Sequence, residues 1–156
     1  MARIAPVGGW PMPMFKQGAT RGRKAKSERG RQRDEAHLAL IRQCPCISTG
    51  SMADVEAAHL RMSEHVYSKA EPGTSAKPSD EWVLPLTHAE HMRQHDIGET
   101  AFWSGLGIEP LKIAQQLYGI SSALRASRAA EEEIVRHMTN IITRARSEER
   151  MGGAHG

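Results

Sequence analysis

A chain of 156 residues has the length of one domain, or of a small domain with tails. It is 39% hydrophobic and 25% charged but only 4% aromatic, so its core must be aliphatic and modest in size. Two cysteines, Cys44 and Cys46, exclude a disulfide-stapled secreted scaffold, and the absence of an apolar run of about 18 residues excludes a transmembrane helix. Pro6, Gly8 and Gly9 interrupt any apolar signal core at the N-terminus, so a reducing cytoplasm is the expected compartment.

The net charge of +3 conceals an asymmetry. Residues 1–35 hold nine Lys and Arg against three Asp and Glu, whereas residues 36–156 hold twelve against fifteen. Residues 1–33 therefore read as a disordered basic arm, broken by Pro6, Pro11 and Pro13 and punctuated by Gly18, Gly22 and Gly30. Lys16, Arg21, Arg23, Lys24, Lys26, Arg29, Arg31 and Arg33 suit phosphate contacts. No aromatic is interleaved among them to stack on bases, and a solubilising tail is the plain alternative.

Asp34 is a suitable cap for a short helix over 35–43, stopped at Cys44-Pro45-Cys46. Residues 55–61 read as a strand, with Val55, Ala57, His59 and Arg61 on one face and Glu56, Ala58 and Leu60 on the other. Pro72, Gly73, Ser75 and Pro78 make 62–80 a long loop, and residues 82–86 are a second strand whose Pro85 belongs at an edge or strand end. Thr87 and Glu90 form a capping box for a helix from 88 to about 96, ending near Gly98. Glu99 to Trp103 and Leu106 are expected to pack. Pro110 opens a helix to about Tyr118, and 121–150 reads as one long polar helix before a loose tail. The organisation expected is an arm over 1–33, a core over 34–118, and a C-terminal helix and tail over 119–156.

His88, His91 and His95 fall on one helix face, and His91 with His95 has the i, i+4 spacing that lets two imidazoles grip one metal ion. A strand carrying His59, a loop, a second strand and then this helix form an order with chemical content.

That order, with the segments "DEAHLALIRQCPC", "CISTG", "VEAAHLR", "KPSDEWVLPL", "HAEHMRQH" and "ETAFW", resembles the HNH nucleases of the ββα-metal fold. The resemblance is closest to small phage and prophage HNH proteins that include the recombination-enhancement nucleases, and it covers about 34–118. It implies an α+β fold, a ββα-metal core with flanking helices. It also implies a divalent-metal-dependent DNA endonuclease in a bacterial host cell, with DNA, or a recombinase-coated DNA filament, as partner. His59 then stands at the general-base position. His91 matches a ligand for magnesium or manganese, and His95 is a second. Arg61 and Arg93 would hold phosphate oxygens, or be ordinary surface charge.

Three departures accompany the resemblance. The residue before the base, often histidine or aspartate, is Ala58 here, so ligation must be thinner or use another carboxylate. Asp80 could supply it, orient His59 or cap a loop, whereas Glu56 faces away from His59. Many relatives hold a structural zinc; Cys46 matches its first ligand, but Thr49, Thr87 and Glu90 occupy the others, so no structural zinc is expected. Where the middle asparagine is expected stand Asp80 or Trp82. The alternative is a catalytically degenerate DNA-binding or scaffold protein of the same shape.

Overall fold

The computed structural model describes residues 33–62 and 78–152. The arm residues Arg21, Arg23, Lys24, Lys26, Arg29 and Arg31, and most of the loop expected over 62–80, lie outside the described residues; Arg33 is described and exposed.

Asp34 starts helix α1 (Glu35–Arg42) as its side chain accepts the His37 backbone N–H at 3.0 Å. His37, Leu38, Leu40 and Ile41 of α1 are buried. A tight turn then returns the chain: Gly50 donates to the Cys46 carbonyl and Cys46 to the Ser51 carbonyl, with Gly50 at φ 79°. Only glycine takes that backbone geometry without strain.

Strand β1 (Val55–His59) pairs antiparallel with β2 (Val83–Thr87) to make a two-stranded sheet. Ala57 lies opposite Pro85, and the Pro85 carbonyl accepts from Ile47 at 2.9 Å, on the side away from β1. The proline nitrogen, lacking a hydrogen, points to that same outer side, so β1–β2 pairing loses no bond.

Thr87 ends β2 and caps helix α2 (His88–Ile97), accepting the Glu90 amide at 3.3 Å. The expected capping box is half made, because the Glu90 carboxylate accepts from Ser48 Oγ at 2.5 Å instead. Gly98, at φ 88°, separates α2 from α3 (Glu99–Leu106), whose Phe102 and Trp103 are buried.

Helix α4 (Pro110–Ala126) differs from expectation by running through Gly119. A mid-helix glycine costs about 1 kcal/mol. Burial of Leu111, Ile113, Ala114, Leu117 and Ser121 on the same helix outweighs it. The single helix expected over 121–150 is instead the end of α4, a turn, and α5 (Glu131–Gly152). In the turn Arg128 adopts φ 59° and Ala129 donates to the Leu124 carbonyl at 3.0 Å, the six-to-one bond of a Schellman ending.

Ile134, Met138 and Ile142 of α5 join Leu60, Leu84, Leu86 and Trp103 in one core. The described residues thus hold five helices and one antiparallel sheet, an α+β arrangement. Among them no helix is long and apolar enough to cross a membrane.

Candidate functional site

Because α2 follows β2 without a linker, it turns back and travels beside β1. Its first turn meets the start of the strand, where His88 and His91 reach Glu56. Its last turn meets the strand end, where His95 and His59 line one cleft.

His59 donates Nε2–H to Asp80 Oδ1 at 2.9 Å. Asp80 is fully buried, and its Oδ2 accepts the Asp34 backbone N–H at 2.9 Å. Arg125 of α4 fixes Asp34 in turn with a fork of two hydrogen bonds, 2.9 and 2.6 Å. Asp80 therefore bonds both the His59 ring and the entry to α1. The Arg125 pairing and the His37 amide hold the Asp34 carboxyl below the ordinary carboxylate range, although burial, the largest single influence, pushes the other way.

Glu56 has a more prominent place than its sequence position suggested. Its Oε2 accepts from His91 Nδ1 at 2.7 Å and its Oε1 from His88 Nδ1 at 2.8 Å. The hydrogen bond from His91, followed by that from His88, holds its carboxyl below the usual range, so it is an ionised acceptor near neutral pH. Three residues further along β1, His59 meets the same helix at Gln94 and His95. The sequence showed the alternation but not which helix lies against the strand.

The cleft measures about 200 Å³ and is lined by His59, Arg61, Gln94, His95, Gly98 and Glu99. Glu99 takes the backbone N–H groups of Arg61 and Met62 at 2.9–3.0 Å, which pins the chain as it leaves β1. The Arg61 side chain is exposed at the rim. Arg93 lies elsewhere: it pairs with Glu90 at 3.3 Å and sits over the Phe102 ring, 5.6 Å from its centroid.

The resemblance implies a divalent ion, so the donors need testing against one. Among the described residues no group of three or more His, Cys, Asp or Glu side chains is gathered to hold a metal. Asp80 has both oxygens engaged, by His59 and by Asp34. The donors that fit are His91 and His95, whose ring centroids lie 4.8 Å apart. Two imidazoles would leave the remaining coordination positions of an ion to water and phosphate oxygens.

The residues at the zinc-ligand positions have other partners. Cys46 is buried with its amide on Ser51, Thr87 caps α2, and Glu90 accepts from Ser48. Cys44 donates to the Leu40 carbonyl, and burial pushes its thiol up to about 12. Thermal unfolding in excess chelator is therefore expected to keep the midpoint of untreated protein; a marked drop would mean that Cys44 or Cys46 holds a structural metal.

Comparison with family models, curated proteins and solved structures finds no match to this chain. The functional reading therefore rests on the residues themselves.

Proposed function

We propose that the chain is a metal-dependent DNA endonuclease of HNH type, serving phage or prophage DNA recombination or processing. The observation that carries this reading is the His59–Asp80 pair opening on a cleft shared with His95. An imidazole whose Nε2–H is held by a carboxylate keeps its lone pair on Nδ1. With its side chain 23% exposed, His59 can meet a water molecule.

In the proposed reaction His59 Nδ1 takes a proton from water as the water oxygen attacks phosphorus. A new P–O bond forms, the bond to the leaving sugar oxygen breaks, and that oxygen gains a proton from solvent. Asp80 stabilises the imidazolium that results. Arg61 at the rim is placed to bind a phosphate oxygen. A divalent ion, when bound by His91 and His95, supplies Lewis-acid stabilisation of the developing charge.

One observation favours the runner-up, a DNA-binding protein without activity. Ala58 is fully buried in the core, so β1 offers no ligand at that position. Incubating purified protein with plasmid and with single-stranded DNA, across magnesium, manganese and zinc, separates the two. Metal-dependent cleavage supports the nuclease; binding without cleavage in every condition supports the alternative.

The arm gives an independent prediction. Residues 1–30 hold seven Lys and Arg against one acid, Glu28. If half of them neutralise phosphates, deleting 1–30 should lower the slope of log affinity against log salt by about 3. The deletion stops short of Asp34, whose amide holds Asp80. Paired salt titrations read the slope, and equal slopes would show that the arm stays off DNA.

A further inference from the structure

The two site histidines are each held by a carboxylate, through opposite ring nitrogens: Asp80 takes Nε2 of His59 and Glu56 takes Nδ1 of His91. A hydrogen bond at one imidazole nitrogen decides which nitrogen is left to bind a metal. We propose that Glu56 is the positioning residue of the cation site, fixing His91 as the Nδ1–H tautomer so that Nε2 is its metal-binding nitrogen. This rests on the nuclease reading for its purpose, but not for its test.

Three features of the structure support it. The Glu56–His91 bond is short, at 2.7 Å, and His91 is only 24% exposed, so the ring has a fixed partner. The second carboxylate oxygen is bound by His88, which stops Glu56 from turning away. Glu56 also shares a strand face with Ala58, two residues on. This strand therefore presents a carboxylate to α2 although the residue next to the base is a methyl group packed in the core.

Glu56 touches neither substrate nor cation in this account; it acts through His91. A simple staple between strand and helix would use the same bond without caring about the metal. The tautomer and the cation affinity distinguish these roles.

The experiment uses the full chain labelled with 15N-histidine, as wild type, Glu56→Ala and Glu56→Gln. Long-range proton–nitrogen spectra in metal-free buffer above neutral pH read the His91 tautomer, and manganese titration followed by spin resonance reads affinity. The wild type should carry the His91 proton on Nδ1. Glu56→Ala should lose that preference and bind manganese about 10- to 100-fold more weakly. Glu56→Gln has one side-chain oxygen for two histidine donors, and His88, 63% exposed, can turn to water while His91, 24% exposed, cannot, so the oxygen should stay on His91 and retain the tautomer and most of the affinity.

A wild-type proton on Nε2, or a wild type that binds no manganese, would overturn the proposal. So would unchanged affinity in Glu56→Ala, or a loss in Glu56→Gln as large as in Glu56→Ala. DNA cleavage by the same wild-type preparation keeps the two readings apart. Cleavage beside a failed test removes Glu56 alone; a passed test beside no cleavage removes the nuclease reading alone.

Discussion

Replacing His59 with alanine should lower DNA cleavage by roughly 100- to 10,000-fold while DNA affinity changes little. That range corresponds to about 2.7–5.5 kcal/mol of lost transition-state stabilisation. The substitution removes the proposed base and leaves the cation pair His91 and His95 and the exposed Arg61 in place. It also strips one partner from buried Asp80, whose Oδ2 keeps the Asp34 amide. Leaving a buried acceptor short of a partner costs about 1–3 kcal/mol of stability. Rates and affinities must therefore be compared where circular dichroism shows both proteins folded. A single-turnover time course on one DNA fragment, beside a binding titration, gives the two quantities. A variant that cuts at the wild-type rate removes His59 from the mechanism.

Acidification from pH 6.5 to 4 should destabilise the fold by about 3 kcal/mol through His37 alone. His37 is fully buried in α1, with Nδ1 on Ser121 Oγ at 2.7 Å and its ring edge-on to Tyr118. Its Nε2 is buried without a hydrogen-bond partner. Burial lowers its pKa from 6.5 to about 4, only partly opposed by Asp34 and Asp80. The native state therefore keeps the ring neutral while the unfolded chain takes a proton below pH 6.5. The stabilisation is complete above pH 6.5 and is lost as pH falls towards 4. Denaturant melts across this window should show stability falling with pH, and His37→Leu should flatten the fall. Ser121 then still has the Tyr118 carbonyl as acceptor. An unchanged pH dependence in His37→Leu would assign the titration to another group.

The elements nearest the site were legible because local chemistry specifies them. Asp34 and Thr87 are side-chain caps at the expected positions, and both strands lie within two residues of their expected bounds. The helices further on were harder for stated reasons. α3 has eight residues between two glycines, too short to declare a period. Gly119 read as an end, yet tertiary burial carried α4 past it. The break at Ser127 to Ala130 contains neither glycine nor proline, and Arg128 takes the left-handed conformation there. The local mark is the acidic run Glu131, Glu132 and Glu133 in the first turn of α5, which suits a helix N-terminus but also reads as an exposed charged face.

Within the site, the histidine spacing was readable, and so was the presence of carboxylates nearby. Which carboxylate serves which histidine was not. Asp80 and Glu56 reach theirs across 21 and 35 residues of chain. The Arg125–Asp34 fork spans 91 residues and joins α4 to the start of α1, a link that no local motif announces.

The most direct measurement is conversion of supercoiled plasmid by wild type and His59→Ala, purified alike, in magnesium or manganese and in chelator. The account predicts nicked or linear product from the wild type only, and only with metal. Intact plasmid in every lane, or equal conversion by both proteins, would contradict it.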